Sequence, residues 1–300
     1  MIKRSPFFKK PAFTMIELVF VIVIMGILSK FGIELLAQAY QNFLYTKINN
    51  KLQNQSATAV EFVAKRLSYR IPDSVIGREN NNSYDGIQEL VNTKNYVAVE
   101  WIARDMENWR GLTKPAWSGI ADLNASSNST ISTPDTNITE INTTISVLSD
   151  SNSSIADAAI YFIGSNSDAN SSYGWQGSAV SNVGAAVHHI TSATTNSLDG
   201  NFSNVDLYEY YQLAWTANAV SLEDDGKGNG TYDLMYHYNY QPWLGERYNS
   251  PTTKKQVIME NVPTFQFRAV GSMIKVQVCV KSDLINNEEG YALCKEKTIF

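Results

Sequence analysis

The sequence predicts an α+β protein in which one long N-terminal helix packs on an antiparallel β-sheet domain. Three observations carry that expectation. A 19-residue apolar run, Met15 to Ile33, holds only Glu17, Ser29 and Lys30 as interruptions. An apolar stripe at helical spacing follows it, through Leu36, Tyr40, Leu44, Ile48, Leu52, Val60, Val63 and Leu67. Beyond Pro72 the apolar pattern switches to period two, which marks strands with one buried face. A helix followed by a run of strands reads as α+β, the sheet covering the helix stripe.

Composition bounds the rest. The chain has 300 residues, 44% apolar and 18% charged, enough for one sizeable core or two small ones. The net charge is −5, and only four of the 24 basic residues fall in the first 12 positions, where there is no acid. Without that leader the chain carries 20 bases against 29 acids, a net −9. Nucleic acid is therefore not expected as the main partner. Two cysteines and three histidines leave little for a multi-cysteine or histidine-rich metal site.

The run from Met15 is long enough to cross ~30 Å of hydrocarbon as a helix. The basic flank places its N-terminal side in the cytoplasm and the bulk of the chain outside. With no proline between Phe13 and Ile71, the helix should continue to about Arg70, roughly 87 Å at 1.5 Å per residue. Its first half is apolar all round and should protrude into lipid or against identical helices. Its second half is amphipathic, and Leu44 to Leu67 should dock on the domain. A plain anchor leaves Glu17 unexplained, because a carboxylate inside an apolar run is expensive.

The segment Lys9-Lys10-Pro11-Ala12 followed by Phe13-Thr14-Met15-Ile16-Glu17-Leu18 strongly resembles the processing motif of type IV prepilins and pseudopilins. Ala12 stands where that family most often has Gly. The resemblance covers about 20 residues. It implies cleavage between Ala12 and Phe13 by a prepilin peptidase, N-methylation of Phe13, and a role for Glu17 in assembly. It divides the chain into a leader (1–12), a transmembrane and assembly helix half (13–35), an amphipathic half (36–71) and a β-rich domain (72–300). It further implies a bacterial inner-membrane protein with a periplasmic domain, later part of a pilus or pseudopilus. Membrane lipid, other pilins or pseudopilins and an inner-membrane assembly platform would then be its partners. About 230 residues after the helix suit a large minor subunit, W- or J-like, at a tip or initiation complex rather than an enzyme. The alternative is a membrane-anchored adhesin or binding module exported by the pilin route.

Within the domain, Lys94 to Arg110 reads as a strand running into a short helix, with Trp101, Trp109 and Trp117 as packing residues. Of the 31 residues from Asn124 to Ser154, 20 are Ser, Thr or Asn, which predicts an exposed excursion or short hairpins. Further strands are expected over 158–163, 207–222, 232–240 and 274–280. Cys279 and Cys294 are expected on the chain's final two strands, joined by the polar turn SDLINNEEG. Exported, such a pair can bridge, as C-terminal cysteines of pilins often do; two free thiols are the alternative.

Common nucleophile-elbow, phosphate-loop and zinc motifs are absent from the sequence, and no cofactor is implied. One loop, LEDDGKGNGTYDL, could offer Asp225, Asn229 and Asp233 as hard ligands to Ca²⁺, or could simply be a glycine-rich hairpin turn. Ten Asn-x-Ser/Thr sequons occur, and seven carry an acid two residues earlier: those of Asn81, Asn124, Asn137, Asn142, Asn152, Asn170 and Asn201. With 29 acids in 300 positions, chance predicts about one such acid in ten. The extended pattern resembles acceptors of bacterial N-oligosaccharyltransferases, which read an acid at that offset. A Ser/Thr/Asn tract also makes sequons by composition alone.

Overall fold

The computed structural model describes residues 14–90, 95–165, 168–181, 184–228, 230–282 and 292–300. The chain divides into two compact units, 1–51 and 52–300. One helix, α1 (Met15–Leu67), supplies all the described structure of the first unit and opens the second.

In the first unit the helix buries nothing. Twenty large apolar side chains between Met15 and Tyr45 are each at least 37% exposed. This helix is long and apolar enough to cross a membrane. In the second unit α1 buries Leu52, Ser56, Ala59, Val60, Val63, Ala64 and Leu67, spaced by one, three or four along a single face. The buried stripe thus starts at Leu52 and not at Leu44, which is 37% exposed. Phe62 meets Tyr236 edge-on at 5.1 Å, and Glu61 pairs with Lys297. The helix ends by tightening into three-residue turns, with the Arg70 guanidinium donating to Leu67 O at 3.0 Å. Lys65 and Arg66 in the last turn suit the negative end of the helix dipole.

The strands follow in three antiparallel sheets. Strands β1 (Ile76–Glu79), β2 (Tyr84–Gly86) and β3 (Tyr96–Ala103) lead into a short helix α2 (Met106–Arg110). Gly111 ends α2 at φ 58°, where a side chain would collide with the Lys114 carbonyl. Next come β4 (Thr130–Ser132), α3 (Ile138–Leu148), β5 (Ala159–Phe162), β6 (Val187–Thr194), β7 (Ser197–Gly200) and β8 (Tyr211–Ala214). The chain finishes through β9 (Thr216–Asp224), β10 (Tyr232–Tyr240), β11 (Lys254–Val262), β12 (Thr264–Val270), β13 (Met273–Lys281) and β14 (Ala292–Ile299). The sheets run β11-β10-β9-β3-β1-β2, β4-β7-β6-β5-β8 and β12-β13-β14.

Two expectations need correction. The Ser/Thr/Asn tract is neither bare loop nor hairpins: it holds the 11-residue helix α3. Ile138, Ile141 and Ile145 lie on its inner face and join Trp117, Ile160, Phe162 and Leu213 in one core. Asn137 caps it, its side chain accepting from Glu140 N–H. Strand β10 does not keep one wet face either. Met235 and His237 are buried as well as Leu234 and Tyr236, because both faces of this central strand are covered.

The second core gathers Ile71, Ile102, Tyr173, Trp175, Tyr240 and Trp243. Beneath it lies a fully buried ion pair, Arg78–Glu100. Tyr240 Oη donates to the same Glu100 at 2.8 Å. Arg78 also donates to the Trp175 and Asn82 carbonyls, both at 3.1 Å. Buried charges persist only when paired and hydrogen-bonded in this way.

Candidate functional site

The N-terminal end of α1 carries the first candidate. Ala12 and Phe13 lie outside the described residues. Thr14 opens the helix, and its backbone N–H and Oγ1 both donate to Glu17 Oε2, at 2.9 and 2.8 Å. Glu17 N–H returns a long 3.4 Å bond to Thr14 Oγ1. This is a capping box, Thr-x-x-Glu, which satisfies donors that a helix start leaves orphaned. The pattern was present in the sequence as Thr14-Met15-Ile16-Glu17. Glu17 therefore has a local partner, and its charge sits at the positive end of the helix dipole.

At the other end of the chain, Cys279 and Cys294 are bonded, with directly opposed positions on β13 and β14. The bridge pins β14, which lies at the edge of its three-stranded sheet.

Between β9 and β10, the acidic glycine loop forms a hairpin connection. Asp225 is already engaged there. Its Oδ1 accepts from Lys227 N–H at 2.9 Å and its Oδ2 from Thr231 Oγ1 at 3.0 Å, with Lys227 Nζ at 3.4 Å. Asp233 is held above the usual carboxylate range by burial and by the nearby Glu260. Asn229 lies outside the described residues. Among the described residues no three acidic, histidine or cysteine side chains converge as a metal site.

One arrangement superficially suggests nucleophilic chemistry. Ser221 Oγ lies 2.8 Å from His237 Nε2, and Glu223 Oε1 lies 3.5 Å from the same nitrogen. A catalytic triad needs the acid on the other ring nitrogen and a serine that substrate can reach. Here serine and acid share one nitrogen, and Ser221 and His237 are 1% and 2% exposed. Burial, with Lys255 nearby, pushes His237 down to about 4 against an opposing pull from Glu223. His188 is likewise pushed down to about 4 by burial, while His189 Nε2 lies 2.7 Å from the Ala156 carbonyl. The opposite case is Asp105, which caps α2 by accepting from Asn108 N–H and Nδ2. Burial raises its carboxyl to about 7, against those hydrogen bonds.

Two clefts are among those that open on the domain. The larger, about 600 Å³, is lined by Arg70, Asp73, Glu89, Asp168 and Ile274. The second, about 290 Å³, is lined by Arg66, Arg104, Trp215, Asn218 and Tyr236.

The sequons are spread over the surface of the domain. Asn81, Asn124, Asn137, Asn142, Asn152 and Asn201 are exposed, and Asn170 is half-buried. Their hydrogen-bonded surroundings differ sharply.

No protein-family model, characterised protein or solved structure matches this chain.

Proposed function

We propose that the chain is a minor pilin or pseudopilin, a structural subunit at the tip or initiation complex of a type IV pilus or a type II secretion pseudopilus. One observation carries the reading. A helix with twenty exposed large apolar side chains begins two residues after the Ala12–Phe13 junction of a prepilin-type motif, with Glu17 in its first turn. Such a surface needs lipid, or the same helix of neighbouring subunits, to cover it. The Cys279–Cys294 bridge supports an exported domain, since such bonds persist in oxidising compartments.

In this reading a prepilin peptidase removes residues 1–12 and methylates the new amine of Phe13. Glu17 then meets that amine on a neighbouring subunit. The helix is held in the inner membrane before assembly and in the fibre afterwards.

Intact-mass analysis of protein from the native membrane tests this directly. The expected species starts at Phe13 and carries one extra methyl group. A mature chain that starts at Met1, or near Ser29, overturns the reading. Deleting the coding sequence should abolish piliation, protein secretion or DNA uptake, and the trait lost identifies the machine served.

A further inference from the structure

Seven sequons carry an acid two positions ahead, but among the described residues the fold leaves one of them with its carboxylate, amide nitrogen and hydroxyl all free. The β1–β2 hairpin tip reads Glu79-Asn80-Asn81-Asn82-Ser83. Asn82 N–H donates to the Glu79 carbonyl at 3.0 Å and Glu79 N–H to the Ser83 carbonyl at 2.8 Å, closing a three-residue loop. Asn82 supplies the left-handed residue such a loop requires, at φ 67°. Asn81 Oδ1 accepts from Ser83 N–H at 2.8 Å, so the amide oxygen is turned inward onto its own sequon. Among the described residues, Asn81 Nδ2, the Ser83 hydroxyl and the Glu79 carboxylate make no hydrogen bond or ion pair, and Asn81 and Ser83 are exposed. The loop is braced from below, where buried Arg78 donates to the Asn82 carbonyl.

At the other six, the fold has already taken a group the acceptor needs. Asp122 Oδ1 accepts the backbone N–H of Asn124, and Ser126 Oγ is bonded to the Asp122 carbonyl. Asn137 Nδ2 donates to Glu140, whose other oxygen accepts Leu112 N–H, while Asn142 lies inside α3 with its Oδ1 on Ile155 N–H. Asn152 Nδ2 is bonded to the Ser149 carbonyl and Asp150 is paired with Lys254. Asn170 Nδ2 donates to Glu89, and Asp168 holds Ser171. Asn201 has a free Nδ2, but Asp199 is taken by Thr130 and Ser192. An enzyme that reads the carboxylate, the amide nitrogen and the hydroxyl together meets a native bond on at least one of them at all six, and among the described residues on none at Asn81, whose one bond is to Oδ1.

We propose that Asn81 is the preferred glycan acceptor of this protein, modified after export by an acid-reading N-oligosaccharyltransferase. The donor class is an oligosaccharide linked to a lipid diphosphate. Asn81 Nδ2 attacks the anomeric carbon of the first sugar, and the new bond is Nδ2–C1. The C1–O bond to the diphosphate breaks, the lipid diphosphate leaves with the electron pair, and Nδ2 gives up one proton. Ser83 and Glu79 supply the hydroxyl and the carboxylate by which the enzyme holds the loop. The proposal requires export of the domain and not its entry into a fibre, so it stands apart from the pilin reading.

The test co-expresses the full chain with an acid-reading bacterial N-oligosaccharyltransferase and its lipid-diphosphate glycan, beside a known acceptor protein as positive control. Glycopeptide mass spectrometry then gives occupancy at each asparagine. Asn81 should show the highest occupancy of the seven. Glu79→Gln should lower occupancy at Asn81 by about tenfold, the loss of one charge-assisted contact, and leave the other sites unchanged. Asn81→Gln should remove the modification there. An unmodified Asn81 beside a modified control overturns the proposal, as does higher occupancy at any of the other six. Full occupancy at Asn81 in the Glu79→Gln chain overturns the role of the acid.

Discussion

Glu17 has a local partner in Thr14 and, in the proposed assembly, a second between chains, and a single substitution can separate them. Within one chain it completes the capping box with Thr14, which survives cleavage after Ala12 because Thr14 keeps its backbone amide. Between chains, the proposed assembly gives it a positive amine. Glu17→Gln preserves a side-chain acceptor for the box and discards the charge. Thr14→Ala does the reverse and loses about 1 kcal/mol of cap. If the charge is what assembly uses, the Gln variant is excluded from fibres and the Ala variant enters. Quantifying each subunit in sheared fibres decides it, and equal entry of Glu17→Gln and wild type ends the pairing idea. Asp105 allows a second residue-scale prediction. Its carboxyl is raised from 3.8 to about 7, so the folded state binds its proton more tightly than the unfolded state. The stability it contributes is complete below pH 4 and is lost as pH rises towards 7, a span on the order of 4 kcal/mol. His188 and His237, lowered from 6.5 to about 4, act in the opposite sense: their contribution is present above pH 6.5 and is lost as pH falls to 4. The two trends offset one another in the wild type. Asp105→Asn keeps the cap and removes one of them. Urea titrations of the detergent-solubilised chain should then show stability rising from pH 4 to 6.5 more steeply than in wild type, and a parallel profile would refute the assignment.

At the scale of elements, β14 depends on its bridge. It is an edge strand laddered to β13, tied to α1 through Lys297 and Glu61, and its middle residues, Lys295 and Glu296, are exposed. The loop closed by Cys279 and Cys294 has a sequence separation of 15, for which the chain-entropy account gives about 3 kcal/mol. A Cys279→Ala/Cys294→Ala chain should lose about that much, with amide exchange quickening in β14 before β13; uniform exchange would mean the strand is held by other contacts. Helix α3 shows where reading the sequence succeeded and failed. The strands with dense aromatic and β-branched residues, such as β10 and β13, were legible from period two. The helix was not, because its polar positions are Thr, Ser and Asn, poor helix formers that dominate any compositional view. The signal lay in spacing: Asn137 and Glu140 form the start box, and Ile138, Ile141 and Ile145 mark one face. Tertiary burial of those isoleucines holds the helix against its propensity. Ile145→Ala should therefore cost roughly 2–5 kcal/mol, the range for truncating a fully buried aliphatic side chain, readable as a lower urea midpoint. The buried Arg78–Glu100 pair was equally hidden. Nothing local marks two charges on neighbouring strands as partners until the register of β1 and β3 brings them side by side.

At the scale of the whole molecule, the chain assigns its two kinds of apolar residue to two different solvents. From Leu52 onward, apolar side chains are buried along α1's last four turns, in α3 and in the three sheets. From Met15 to Tyr45 the large apolar side chains are exposed, and this stretch is apolar enough to cross a membrane. The solubility of the protein and the stability of its fold should therefore reside in separate segments. A chain beginning at Lys47 retains every buried residue of α1, both cores and the disulfide, and loses all twenty exposed apolar side chains of the first segment. It also loses the basic leader, so it carries a large negative charge that favours dispersal. Such a chain should remain monomeric without detergent. Its thermal midpoint should lie within about 4 °C of the full chain in detergent, since a 1 kcal/mol change moves a domain of this size by roughly that amount. Sedimentation and circular-dichroism melting check the two halves of the prediction independently. Aggregation with an unchanged midpoint would point to an apolar surface elsewhere on the domain. A midpoint lower by tens of degrees would show that residues before Lys47 help hold the fold, and the division of labour along α1 would have to be abandoned.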